Sequence, residues 1–268
     1  MFLCLSLLHP QRLLLPQSAL QCQRLQRLFL DENQTEIDKD DDDDDNDEAW
    51  LASLGLKRVH SSPHIYTIDN FLSEADLQCL EAHIHKGGFQ RSFVDNLAKR
   101  DHTNNSIEYD TQHRTSSFVS FEKRANARVA AIERKASELL GAWNSDNVEP
   151  LQLVRYRKDE FFGRHHDLGD LDEETGAVSL PPKNPFVKRR LATLFCYIND
   201  VPDGAGGETF FPTLGVGVQP KRGRAVLFSN VKLSPDKSSL VPDERTVHEG
   251  SPVVQGIKYG LNVWITED

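Results

Sequence analysis

Two histidines and one carboxylate are the residues in this sequence best placed to do chemistry. His165 and Asp167 stand two apart in Phe161-Phe162-Gly163-Arg164-His165-His166-Asp167, and His248 follows far downstream. On an extended segment, residues i and i+2 point to the same face. An imidazole and a carboxylate would then share one side, with His166 turned to the other and given no metal role. A second imidazole from a distant strand would complete a 2-His-1-carboxylate set, which leaves coordination positions open and marks non-haem Fe(II) oxygenases. An HxD alone is a weak signal, and on spacing alone an ordinary surface pair is the better reading. Zinc also works with three protein ligands and an open position, so a hydrolytic zinc centre is a rival.

The neighbours narrow the choice. Lys258 lies shortly beyond His248, where the chain enters a last β-rich run. A lysine buried there could hold one end of a dicarboxylate co-substrate through a charge-assisted hydrogen bond. On that run Lys258, Gly260, Asn262 and Trp264 share one face, while Tyr259, Leu261, Val263 and Ile265 share the other. The first face carries polar groups that are costly to bury without a ligand. Tyr156, upstream of His165, offers a hydroxyl for the same carboxylate. A hydrolase needs no dicarboxylate clamp, and a catalytically silent binding module needs neither clamp nor ligands; all four residues are present.

These residues need elements to position them. His64-Ile65-Tyr66-Thr67-Ile68 alternates like a strand, and Ser73 followed by Glu74 and Asp76 reads as a helix N-terminus. Leu77, Leu80 and Ile84 give that helix an apolar face; His83 and His85 read as solvent-facing. Residues 86–117 are polar and loop-like. A second helix is expected from about Glu122 to Trp143, with Val129, Ile132, Ala136, Leu139 and Leu140 on its buried side. After Pro150 come β-rich runs at 151–156, 191–198, 224–228 and 259–265, separated by Gly, Pro and Asp. Helices first and short strands afterwards predict an α+β chain whose second half is a sandwich or barrel.

Charge and length set outer bounds. A chain of 268 residues suits one large domain or two small ones and can bury a sizeable core. Between Asp31 and Glu48 stand twelve acidic residues and one lysine, six of the acids consecutive from Asp40 to Asp45. That tract carries −11 against −10 for the whole chain, which leaves the rest near +1. No basic excess remains to neutralise phosphates, so nucleic acid is not an expected partner. The tract reads as a solvated linker over 31–49. Residues 1–30, free of acids and holding Arg12, Arg24 and Arg27, read as a targeting or disordered leader. The folded domain is expected over 50–268. No apolar run approaches the ~20 residues of a membrane span, which excludes a multi-span membrane protein. The four cysteines are scattered without CxxC spacing and leave the redox compartment and the oligomeric state open.

The motifs in order carry a family resemblance. Arg155-Tyr156, Phe162, His165-His166-Asp167, Tyr197-Ile198-Asn199-Asp200, Gly206-Gly207-Glu208-Thr209-Phe210-Phe211-Pro212, His248-Glu249-Gly250-Ser251-Pro252-Val253, Lys258 and Asn262-Val263-Trp264-Ile265 resemble the prolyl 4-hydroxylase family of 2-oxoglutarate/Fe(II) dioxygenases. Asp69-Asn70-Phe71-Leu72-Ser73 and Arg114-Thr115-Ser116-Ser117 resemble its helical lead-in, so the likeness runs from about residue 64 to 266. Lysine at 258 is similar to the collagen and plant/algal branch. Ser251 departs from the cysteine that many collagen-type members carry.

The resemblance implies a double-stranded β-helix (jelly roll) with N-terminal helices packed on its major sheet. It implies that His165, Asp167 and His248 ligate Fe(II). Lys258 would pair with the distal carboxylate of 2-oxoglutarate, helped by Tyr156 and Tyr197, with Asn262 and Trp264 lining the pocket. O2 and L-ascorbate join the expected cofactors. The expected reaction hydroxylates a proline-rich peptide or protein and releases succinate and CO2, with a non-prolyl acceptor as the alternative. The endoplasmic reticulum or secretory pathway is the expected compartment, against another organelle or the cytoplasm.

Overall fold

Runs rich in Val, Leu, Phe and Tyr favour the pleated, two-sided environment of a sheet interior, and after Pro150 they build the centre of the molecule. The computed structural model describes residue 29 and residues 48–92, 113–139, 145–180, 188–236 and 238–267. Its first half runs β1 (Leu56–Ser61), β2 (His64–Ile68), α1 (Glu74–Lys86), β3 (Gln90–Arg91), β4 (Ser117–Ser120), α2 (Ala127–Leu139) and β5 (Gln152–Tyr156). Then follow β6 (Phe162–His165), β7 (Asp170–Leu171), β8 (Val178–Ser179), β9 (Arg190–Tyr197), β10 (Thr209–Phe211) and β11 (Val216–Val218). The last are β12 (Ala225–Ser229), β13 (Val231–Leu233), β14 (Leu240–Pro242), β15 (His248–Gly250) and β16 (Lys258–Thr266).

Eight strands form a large antiparallel sheet in the order β1-β2-β12-β9-β16-β5-β4-β3, and four form a small one in the order β11-β10-β15-β6. The chain passes repeatedly from one to the other. Alternation then sorts the side chains of the large sheet. Leu194, Cys196, Leu227, Leu261, Val263 and Ile265 join one core cluster with Leu77 and Leu80 of α1 and Val129, Ile132 and Ala136 of α2. Val154, Phe195, Tyr197, Val226 and Phe228 join a second cluster with Phe211 and Val218 of the small sheet. With both faces covered, β9 and β12 read as unbroken apolar runs rather than alternating ones. Two antiparallel sheets sharing a core, with few helices, are consistent with the jelly-roll expectation.

Local chemistry sets the helix ends. Ser73 Oγ accepts from Asp76 N at 3.3 Å while Asp76 Oδ2 accepts from Ser73 N at 3.0 Å, a reciprocal capping box. The second helix begins at Ala127, later than the expected Glu122. Arg124 takes a left-handed φ of 55°, which a helix cannot continue, and Asn126 Oδ1 accepts from Arg128 N and Val129 N at 2.9 and 3.0 Å as the cap. Residues 140–144 lie outside the described residues. His85 is exposed as expected, while His83 is half-buried: its Nδ1 lies 2.8 Å from Cys79 O and its ring packs against Phe121. Within the span read as loop lies β3, which pairs at the edge of the large sheet with β4, a strand that begins at the last residue of that span.

The acidic tract up to Asp47 and the leader, apart from Phe29, lie outside the described residues. Phe29 itself is buried in the first core cluster, edge-on to Tyr66 at 6.0 Å. Among the described residues no helix is long and apolar enough to cross a membrane.

Candidate metal centre

In the small sheet β15 pairs with β6 so that His248 lies directly opposite His165. Directly opposed side chains on one face of an antiparallel pair come into contact, and here the ring centroids stand 4.3 Å apart. Asp167 lies past the end of β6 in a bend, which returns its carboxylate to the same side. Its Oδ1 is 3.8 Å from His165 Nε2 and its Oδ2 3.8 Å from His248 Nε2. One ligand atom from each of the three falls within 4.8 Å of the others.

Hydrogen bonding sets the tautomers. His165 Nδ1 lies 2.8 Å from Gly163 O and His248 Nδ1 3.0 Å from Thr246 O. A carbonyl only accepts, so each Nδ1 carries the hydrogen and each Nε2 lone pair is left for a metal. Burial, reinforced by the neighbouring His248, pushes the His165 pKa well below its usual value and keeps the ring neutral. Burial works to raise the Asp167 pKa, but the two imidazoles, Arg190 and a hydrogen bond from Thr193 outweigh it and hold the carboxyl below the usual range. His166 points elsewhere, with Nε2 3.1 Å from Asp243 O.

The three converge on a cleft whose lining includes Tyr156, Phe162, Thr193, Phe195, Thr209, Lys258, Asn262 and Trp264. Lys258 comes from the large sheet and is 1% exposed. Its Nζ is 5.0 Å from the ring centres of Tyr156 and Phe195 and 5.6 Å from that of Tyr197. Burial pushes its pKa down to about 7, with Glu208 pulling the other way. Among the described residues no carboxylate forms an ion pair with it. A buried cation walled by rings and lacking an anion is costly, which is an observation in favour of an anionic ligand. Three metal-ligating atoms together with a lysine in one cleft fit a keto-diacid chelated to a metal.

The remaining expected residues divide. Tyr156, Asn262 and Trp264 line the cleft; Asn262 Nδ2 donates to Gln152 Oε1 at 3.1 Å, and Trp264 Nε1 is buried with no hydrogen-bond partner among the described residues. Tyr197 does not line it. Its hydroxyl is bonded to Thr209 Oγ1 and Val218 O at 2.8 and 3.1 Å, so only its ring faces Lys258. Sequence reasoning missed Thr193, Thr209, Phe195 and the part played by Phe162, whose ring stacks on His165 at 3.6 Å with an interplanar angle of 9°. Alternation along 191–198 places Thr193, Phe195 and Tyr197 on one face, a signal that unbroken apolar character hid.

Residues 151–266 match the family described as 2OG-Fe(II) oxygenase superfamily. Prolyl 4-hydroxylase 2 of Arabidopsis thaliana is 28% identical over 237 residues, covering 80% of this chain and 70% of that protein. The human prolyl 4-hydroxylase subunit alpha-1 is 28% identical over 206 residues, covering 76% of this chain and 35% of that subunit. Among solved structures, the viral collagen prolyl hydroxylase of Paramecium Bursaria Chlorella virus-1, in its 2OG complex, is 28% identical with a TM-score of 0.54, covering 76% of this chain and 96% of that one.

Proposed function

Because this chain belongs to the prolyl 4-hydroxylase family of 2-oxoglutarate/Fe(II)-dependent dioxygenases, we propose that it hydroxylates a prolyl residue in a proline-rich peptide or protein. The observation that carries the reading is Lys258, a buried ammonium without an anion in the cleft that gathers His165, Asp167 and His248. His165, Asp167 and His248 would hold Fe(II) through two neutral imidazoles and one carboxylate. Lys258 would hold the distal carboxylate of 2-oxoglutarate, with the Tyr156 hydroxyl beside it and Asn262 and Trp264 as walls. Bound Fe(II), with 2-oxoglutarate and O2, supplies the oxidising power for C–H hydroxylation and releases succinate and CO2.

The chain's own work is placement and exclusion. Gly163 O and Thr246 O keep the imidazoles turned with Nε2 inward. Phe162, stacked on His165, and Phe195, beside Lys258, give the cleft apolar walls that limit water. Arg190 lies over the Trp264 ring at 3.6 Å and is itself held by Glu149 at 2.7 and 2.9 Å, which fixes that wall. L-ascorbate as an iron reductant, a secretory location and a full double-stranded β-helix with helices on the major sheet belong to the same proposal, supported by the family resemblance.

The test is incubation with Fe(II), 2-oxoglutarate and a panel of proline-rich peptides. A peptide mass gain of one oxygen atom, stoichiometric with succinate, is expected. Succinate release with no peptide modified would move the acceptor to another class.

A further inference from the structure

We propose that Thr193 is a positioning residue of the metal centre: its hydroxyl decides which oxygen of Asp167 is offered to the metal. The inference rests on the metal-centre reading above and concerns a residue that donates nothing to the metal itself. Thr193 sits in β9 of the large sheet, 1% exposed, and reaches Asp167 in the bend after β6 of the small one. Thr193 Oγ1 donates to Asp167 Oδ2 at 2.6 Å, the short distance typical of a hydroxyl bonded to an ionised carboxylate.

The direction of that bond is enforced. Asn230 Nδ2 lies 3.0 Å from Thr193 Oγ1 and 3.2 Å from Arg190 O. An amide nitrogen only donates, so the Thr193 oxygen receives from Asn230 and its single proton is left for Asp167. Oδ2 is thereby occupied on one side, while among the described residues Oδ1 has no hydrogen bond and stands 3.8 Å from His165 Nε2. A carboxylate pinned in this way presents one oxygen. Left free to turn, it could chelate through both and close a coordination position that the co-substrate and O2 require. Partners of metal ligands commonly govern affinity in this manner. A threonine present only to fill space would be replaced equally well by valine, which has its shape but not its hydroxyl.

The experiment compares Mn(II) binding to the full chain and its Thr193→Val and Thr193→Ser variants, read from the electron paramagnetic resonance of free Mn(II) with no co-substrate or peptide present. Thr193→Val should weaken binding by about 10–100-fold, and Thr193→Ser should restore it to within about threefold of the parent. Parent-like binding by Thr193→Val would overturn the inference, as would a serine variant as weak as the valine one. If Thr193→Val does not fold, Asn230→Ala takes its place: losing the donor that orients the hydroxyl should weaken Mn(II) in the same direction, and an unchanged affinity would overturn the inference. A parent chain that binds no Mn(II) would bring down the metal centre together with this inference. Loss confined to the Thr193 comparison leaves that centre and the prolyl reading standing.

Discussion

Lys258 faces Tyr156 across the β5–β16 ladder, and its ammonium stands 5.0 Å from the centre of that ring. The ring offers the cation a negative π-face, and the pairing that brings it there brings no carboxylate. On the proposed reading, Lys258 would receive the distal carboxylate of 2-oxoglutarate, and replacing it would remove that partner while leaving the metal ligands alone. Lys258→Ala should raise the 2-oxoglutarate requirement by two or more decades, since breaking a buried charge pair costs about 3–5 kcal/mol. Mn(II) affinity should be nearly unchanged. Lys258→Arg should be milder, because it keeps the charge but needs room for a planar fork. Succinate release against 2-oxoglutarate concentration is the measurement, and an unaltered curve for Lys258→Ala would place the co-substrate elsewhere.

The same lysine should make co-substrate binding pH-dependent. Burial lowers its pKa to about 7 in the free protein. A carboxylate bound beside it favours the protonated form, so its pKa in the complex is higher than in the free protein. Affinity for 2-oxoglutarate is then full below about pH 7 and falls as pH rises through that value, by up to about tenfold per unit. Isothermal titration of the Mn(II)-loaded protein from about pH 6.5 to 9 should show that fall together with proton uptake. Lys258→Arg should flatten it, because a guanidinium stays charged throughout.

Metal should stabilise the native state through the three converging ligands. A ligand that binds only the folded form raises stability by mass action, by about 2.7 kcal/mol at a hundredfold excess over its dissociation constant. Fe(II) or Mn(II) should thus raise the melting temperature of the parent chain. His165→Ala, Asp167→Ala and His248→Ala should each abolish the rise and succinate release with it. A single variant keeping both would remove that residue from the metal.

Phe29 bears on where the folded domain begins. The charge pattern places the boundary near Trp50 and makes everything before it dispensable for stability. Packing of Phe29 against Tyr66 argues otherwise. Phe29→Ala should cost about 3 kcal/mol, the lower end for removing a buried ring, and a chain starting at Trp50 should melt lower by a similar amount. Equal melting temperatures for the full and shortened chains would return the boundary to Trp50.

The site was more legible than the architecture. The spacing of His165 and Asp167 alone favours an ordinary surface pair; it was His248, Lys258 and the polar face of β16, taken together in order, that pointed to one site. The short strands of the small sheet, including β15 with the second histidine, did not show, because β10, β11 and β15 have three residues each, too few for a two-residue period to declare itself. Asp167 reached the right side for a different reason than expected, through a bend beyond the strand rather than through the pleat. Tyr197 was expected to help hold the co-substrate, but its hydroxyl is taken by Thr209 and Val218 behind the cleft, partners that only tertiary structure supplies. Thr193 went unread because the apolar character of its strand hid the alternation and because its partner Asp167 lies in the bend after β6, a contact that only tertiary structure supplies.

The metal ligands and the lysine also sit on different sheets, His165 and His248 on the small one and Lys258 on the large. A bound keto-diacid would span the gap between them, one end on each jaw of a caliper. The opening of that caliper is set by what fills the space between the sheets, including Phe211 and Phe228, whose rings meet edge-on at 5.1 Å, and the contact of Phe228 with His248 at 4.8 Å. With the distal carboxylate on Lys258 as proposed, interior spacers such as Phe228 would help set which diacid fits, and thinning one of them should alter that fit while every polar contact in the cleft kept its residue.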